Sequence, residues 1–549
     1  MEQEKTLFEK GLDRRRFIKG ASLGAAGLIV SACTPSTQAT STTAAGATTT
    51  SAAGATTTTA AQRVQELIMA IPGEPPTLFQ NLEYQPQGYS VYDGVLEYLV
   101  KSDVNNPELG PQPQLATEWT SVSDTQWEFT LRQGVKFHNG EDWNAEAAKA
   151  NLDLLLTIEP PSPVMFRIQP YDSCEVKDEY TLVVNTKEPW AMAPVGLSEV
   201  QFGAPAYLQD VGTQEFAQAP IGTGAFSLSE WDKGTQIVME RNGDYWGDQA
   251  TLDRVIFRGI PDAATRFAAL QAGEVHLIED LEPADIGSMQ SQGLVVADSP
   301  VAQSIIMSPY IIDAVADGHP TADPRVRLAM NHAIDRQTII DTVLGGYGQL
   351  MRGQVSGSDS FGWNPNLSDY EYNPQLARDL LAEAGFPNGV DLGDLFMGAP
   401  GEFFQQSDFA EAVIAQLAEV GILFQQNEIE YSTFLRMALQ DYSLKYWHIG
   451  GWQYYPVMDS AFALMWYDTD AFLRGGLGDP SYDEVWRASN REFDIEARQA
   501  QLQEAHRIIH DTPGPVILWQ HHKFYGHHPD VKGFVPTPDE RVHWQGVTV

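Results

Sequence analysis

Residues 34–61 are almost wholly Thr, Ala, Ser and Gly and include no large apolar side chain. Such a stretch has nothing to bury that would offset the entropy of ordering it, so a disordered tether is expected over residues 33–62. A coil of that length reaches on the order of 30 Å. Whatever folds must fold between residue 63 and residue 549. That length is too great for one apolar core and predicts two or three lobes.

Ahead of the tether, Arg14-Arg15-Arg16-Phe17-Ile18-Lys19 leads into a small-residue apolar run at 20–30 and then Val30-Ser31-Ala32-Cys33. The run is well short of the ~20 residues that span a bilayer. The arginines resemble the signal of the twin-arginine export route, and the residues before Cys33 resemble the lipobox of bacterial lipoproteins. This resemblance implies a signal peptide over 1–32 and a diacylglycerol on the Cys33 thiol. The protein is expected outside the cytoplasm, lipid-anchored to the cell membrane.

The net charge is −39. Residues 1–32 carry six basic and four acidic residues, so the remainder carries −41. An anionic surface of this size argues against nucleic acid and against acidic lipid as partners. With Cys33 lipidated, Cys174 is the only other cysteine. That excludes a disulfide framework and a thiolate metal site, and Cys174 is expected to be a buried small residue.

Leu67-Ile68-Met69-Ala70-Ile71 reads as a strand ended by Pro72-Gly73. In residues 126–132, Trp127, Phe129 and Leu131 alternate with polar neighbours, the period of a half-buried strand. Residues 180–184 read the same way. Later the chain turns helical. Asp323-Pro324 and Asn373-Pro374 are start signals, Ala377, Leu380, Leu381 and Ala384 form one face, and Gly385 supplies a terminator. Phe409, Val413, Leu417 and Val420 make another stripe, followed after Gly421 by a strand at Ile422-Leu423-Phe424. Helix then strand across a short Gly link is α/β construction.

Trp127-Glu128-Phe129-Thr130-Leu131-Arg132-Gln133-Gly134-Val135-Lys136-Phe137-His138-Asn139-Gly140 resembles a characteristic segment of the family 5 solute-binding proteins of ABC importers, the peptide and nickel-binding family. Further segments of that family recur in order: Pro220-Ile221-Gly222-Thr223-Gly224-Ala225-Phe226, Arg241-Asn242-Gly243-Asp244-Tyr245-Trp246, Leu270-Gln271-Ala272-Gly273-Glu274, Ala333-Ile334-Asp335-Arg336, Leu380-Leu381-Ala382-Glu383-Ala384-Gly385-Phe386 and Gly451-Trp452. Together they run from about residue 64 to the C-terminus.

The resemblance implies an α/β fold, a two-lobed clamshell like the periplasmic binding proteins with an extra inserted domain. Domain I is then discontinuous, drawn from 63–92, 220–308 and 520–549; domain II is 93–219 and domain III is 309–519. It also implies a monomeric, non-enzymatic receptor without cofactor that captures oligopeptides in an interdomain cleft and docks on ABC permease subunits.

Cleft candidates are Glu74 and Tyr84 from domain I, Ser308 and Tyr310 beside a crossing strand, and Arg352, Trp452, Tyr454, Tyr455 and Asp459 from domain III. Trp447 and Trp466 read equally as core or cleft. Peptide-binding relatives usually carry an Asp three positions after the Trp, where it pairs with the peptide's α-amine. Here that position is Tyr455, which donates a hydrogen bond or stacks but cannot neutralise an ammonium. An oligosaccharide is therefore the alternative ligand, with Tyr84, Tyr89, Trp363, Trp452, Tyr454 and Tyr455 as stacking surfaces.

His521-His522 with His527-His528, and His506 with His510 on a helix face taken as solvated, have ligand-like spacing. The first group sits in a closing strand or loop, and no metal is expected at either. A secreted hydrolase is the competing class, but beyond the signal segment the chain has no Gly-x-Ser-x-Gly elbow and no His-Glu-x-x-His, and Ser227 stands where the third glycine of a nucleotide loop would follow Gly222 and Gly224.

Overall fold

The computed structural model describes residues 64–549 apart from 83–87, 103–109, 159–160, 355–356, 359, 400–404, 440–442 and 454–478. The signal peptide, the tether and Cys33 lie outside the described residues.

Most described strands join one large sheet of eleven. In chain order they are β1 Glu66–Ile71, β2 Phe226–Asp232, β3 Gln236–Arg241, β4 Arg254–Gly259, β5 Leu277–Ile278, β6 Val295–Pro309, β7 Gly348–Leu350, β8 Val390–Ala399, β9 Ile422–Glu430, β10 Trp447–Gln453 and β11 Val516–His527. Their order across the sheet is β2-β3-β4-β1-β5-β11-β6-β10-β8-β9, with β7 also paired to β11. The β4-β1-β5 section is parallel, as is β10-β8-β9. Antiparallel β11 and β6 lie between them.

Local chemistry sets the helix ends. The Asp323 carboxylate accepts from Arg325 N at 2.9 Å, and the Asn373 side chain from Leu376 N at 3.0 Å. Each starts a helix whose first residue is proline, Pro324–Ala333 and Pro374–Glu383. The helix Gln406–Glu419 buries Phe409, Val413 and Leu417 and connects β8 to β9, the crossover that parallel strands require.

A second, four-stranded antiparallel sheet is ordered Ala116–Ser123, Gln126–Leu131, Thr181–Thr186, Tyr171–Asp178. Trp127, Phe129 and Leu131 alternate onto its buried face as their period predicts. Cys174 is buried there, and its burial pushes the thiol up to about 11.

Separate apolar clusters underlie these layers. One gathers Leu67, Tyr89, Tyr92, Phe216, Phe257, Tyr525 and Trp544; a second, Phe129, Trp143, Leu152 and Phe202; a third, Ile305, Met307, Phe409, Trp447 and Trp519. β11 supplies Tyr525 to the first and Trp519 to the third, so one strand runs through both. β6 accompanies it, and their pairing is interrupted between Ser299 and Gln303. The C-terminal segment braces this break: Ser299 Oγ donates to Thr537 O at 3.1 Å and Gln303 Nε2 to Glu540 Oε1 at 2.8 Å. Lys523 Nζ lies 2.6 Å from Glu540 and 2.7 Å from Glu279. Burial works against its charge, but Asp280, Glu279 and Glu540 outweigh that and hold the ammonium well above its usual range.

The second cluster also touches the helical body. Ala191 N donates to Asn490 O at 2.8 Å, Glu188 pairs with Arg491, and Trp127 stacks on Phe493 with centroids 6.0 Å apart.

Burial decides one open sequence reading and corrects two others. Trp447 is core, its indole N–H bound to Thr321 Oγ1 at 2.6 Å. Tyr89 is sealed in the first cluster beneath the Arg541 guanidinium, 4.3 Å from its ring, and is not a stacking surface. His506 is fully buried with Leu502 and Ile509 on the helix Ile495–Asp511, not on a solvated face. Among the described residues no group of three or more His, Cys, Asp or Glu could hold a metal ion, and no helix is long and apolar enough to cross a membrane.

Candidate functional site

Residues directly opposite on neighbouring antiparallel strands project to the same face, and successive residues along a strand alternate faces. The row Leu350–Trp519–Ile305–Gly451 across β7, β11, β6 and β10 faces the third cluster. In the adjacent row Gln349, Gln520 and Ser304 therefore face away from it, Ser304 being in backbone register with position 452. Along β6 and β10 the same face continues through Ile306 opposite Gly450 and Ser308 opposite His448.

That face is polar and largely sealed. Gln520 is 1 % exposed, Ser304 4 % and Ser308 0 %. Neither polar atom of the Gln520 amide, nor Ser308 Oγ, has a hydrogen-bond partner among the described residues. Tyr310, just past β6, sits over His448 with ring centroids 5.3 Å apart, and both pack beside Phe434. Burial pushes the His448 imidazole down to about 3, so it is neutral at physiological pH. The face thus presents hydroxyl, amide and neutral imidazole groups. Such a set recognises uncharged donors and acceptors.

Of the expected cleft residues, the structure brings Ser308, Tyr310 and position 452 into this region. Glu74 lies elsewhere: half-buried, it accepts from Gly234 N at 2.5 Å and from Trp231 Nε1, so its carboxylate is engaged by the β2–β3 turn. Arg352 is exposed, with a left-handed φ of 50°. Tyr84, Tyr454, Tyr455 and Asp459 lie outside the described residues. Gln520 and Ser304 were missed. The signal for Gln520 was a polar residue directly after the apolar run Val516-Ile517-Leu518-Trp519, and for Ser304 a polar residue directly before Ile305-Ile306.

The buried histidines make acid sensitivity predictable. Burial also pushes His506 down to about 3, from an ordinary value of 6.5. Below about pH 6.5 the unfolded chain takes up protons that the folded chain refuses, so stability falls as pH falls toward 3. Each such histidine is expected to remove about 2 kcal/mol between pH 6.5 and pH 5. Urea unfolding at pH 7 and pH 5 should show a smaller loss for His506→Gln than for the unsubstituted protein; an equal loss would refute this assignment.

The family model for bacterial extracellular solute-binding proteins, family 5 Middle, matches residues 110–472. Heme-binding protein A of Haemophilus influenzae is 26% identical over 96% of this chain and 98% of its own length. The nickel-binding periplasmic protein of Escherichia coli is 30% identical over 56% of this chain and 59% of its own. Among solved structures, NikA from Brucella suis in complex with Fe(III)-EDTA has a TM-score of 0.77 and 26% identity, covering 88% of this chain and 99% of that one. DppA from Helicobacter pylori in complex with the peptide STSA has a TM-score of 0.75, covering 88% and 98%, and at 23% identity bears on the fold alone. The matched span covers well over half the chain, and the mixed α/β architecture agrees with it: the chain belongs to family 5 of the bacterial extracellular solute-binding proteins, the substrate-binding components of ABC importers, and works by binding outside the cytoplasm.

Proposed function

We propose that this receptor is anchored by lipid on Cys33 and captures oligopeptides between two lobes before delivering them to its permease. The observation that carries the reading is the uncharged, buried polar face on β11, β6 and β10, set beside strands that run through two apolar cores. Peptide units are neutral donor and acceptor groups, which such a face satisfies once water is excluded. Solved structures of the same fold hold peptides, among them STSA in DppA of Helicobacter pylori. The three-domain division is our reading too, supported by the three largest of the separate clusters, although Leu208 and Phe216, assigned to domain II, pack in the first. A ligand that touches both lobes favours the shut form over the open one, and closure is then a population shift.

A second reading, an oligosaccharide receptor, is favoured by Tyr455 at the position where peptide-binding relatives carry Asp. Mass spectrometry of small molecules released on denaturing the purified protein separates the two. A ladder of peptide masses is expected; hexose or pentose increments would replace peptides with saccharides. For the anchor, Cys33→Ser is expected to move the protein out of the membrane fraction, and its retention there would refute lipid attachment.

A further inference from the structure

We propose that the Gln520 carboxamide is a specificity-determining ligand contact, reading one peptide unit of the ligand through a donor and an acceptor held side by side. This rests on the oligopeptide reading above.

A glutamine amide carries two N–H donors and a carbonyl with two lone pairs. Burying it without partners is unfavourable, and a leucine or methionine of similar size would fill the same space without that penalty. Gln520 is 1 % exposed, yet neither Oε1 nor Nε2 has a partner among the described residues. Its position is not accidental to the sheet. It stands between Gln349 and Ser304 in the row that also holds position 452, on the face turned away from the third cluster.

The backbone of Gly357 closes over the amide: a methyl group on Gly357 would lie 2.3 Å from Oε1 and 2.5 Å from Nε2. Because position 357 has no side chain, only backbone borders the amide on that side. Ser308 Oγ, four residues along the same face of β6, is fully buried and also lacks a partner among the described residues. Unpaired hydrogen-bonding groups on one face point to a ligand with complementary neutral groups. A peptide unit has one N–H and one C=O, and a vicinal diol presents the same donor and acceptor pattern.

The test titrates the full chain and its Gln520→Leu variant with a pooled tripeptide library and, separately, with a pooled oligosaccharide library. Melting temperatures are taken without ligand. Gln520→Leu is expected to melt at or above the unsubstituted protein, because an orphan amide is removed, while its tripeptide affinity falls about tenfold or more. Gly357→Ala, which keeps the amide but crowds it, is expected to weaken binding in the same direction. Undiminished tripeptide affinity in Gln520→Leu overturns the contact and leaves the peptide reading standing. A lowered melting temperature in that variant overturns it as well, since the amide would then be structural. Binding of oligosaccharides alone overturns the peptide reading; the contact survives only if Gln520→Leu weakens that binding.

Discussion

Exchanging Arg541 for methionine is expected to destabilise the folded protein by about 3–5 kcal/mol, read as a lower midpoint of urea unfolding. The guanidinium is nearly buried and its Nη1 lies 2.7 and 2.8 Å from the two Asp93 oxygens and 2.6 Å from Tyr98 OH. Glu199 stands 3.6 Å away and Asp539 3.5 Å. Burial works against the charge, but Asp93 and its other anionic neighbours outweigh that and hold the guanidinium well above its usual range. Methionine keeps much of the volume and removes the cation, so Asp93 and Glu199 are left desolvated without it. Removing one partner of a buried pair is the costly case, whereas removing both often is not. Asp93→Asn added to Arg541→Met should therefore recover part of the loss. An unchanged midpoint in the single variant would mean that water reaches these carboxylates freely. The Arg541–Asp93 contact joins the C-terminal segment to the helix Tyr89–Val95, and that junction is expected to loosen first.

Gly222→Ala is expected to be as damaging, by about 3 kcal/mol or more. An added Cβ would stand 2.0 Å from the carbonyl oxygen of Val95 and 3.0 Å from Leu96 Cα. Both are backbone atoms, so no side chain can rotate away. The segment is fixed in place by Gly224 N donating to Val95 O at 3.0 Å and His138 N donating to Gly222 O at 2.8 Å. Gly243→Ala is the control, because nothing lies within 4 Å of the added carbon there. Thermal melts of the two variants decide the matter: equal melting temperatures would show that the Val95 backbone yields at little cost. The close approach also explains why Gly222-Thr223-Gly224 is not a phosphate loop. Its glycines admit a neighbouring backbone, and the Thr223 hydroxyl donates to Glu97 at 2.7 Å.

Glu97 shows why sequence reading stopped short of the interior. It is buried, and Thr223, Trp246, Tyr245 and Gln114 all donate to it, at 2.7, 2.8, 2.9 and 3.2 Å. Burial pushes its carboxyl up despite those bonds. Nothing near residue 97 in the chain announces such a cluster, because three of the donors lie well over a hundred positions away. His506 was misread for a different reason. Its pairing with His510 suggested a surface, yet Leu502 and Ile509 place it on the helix's apolar stripe, a pattern that was present in the sequence. Trp447 could not be resolved from composition, since a tryptophan serves a core or a cleft equally well; its indole bond to Thr321 decides.

Elements with local causes were legible. The caps at Asp323 and Asn373, the alternation at Trp127, Phe129 and Leu131, and the helix before Gly421 each arise from hydrogen bonds or side-chain periods within a few residues, so the sequence alone determined them, and with them the α/β class. The ordered family motifs did the same for the receptor role. Only the tertiary structure decided which polar groups are paired. Arg541 meets Asp93 across 448 positions, and Gln520 lies in register with Ser304 and Gln349 yet finds no partner among the described residues. Strand register and burial over such separations follow from the packing of whole layers, a property no local stretch of sequence carries.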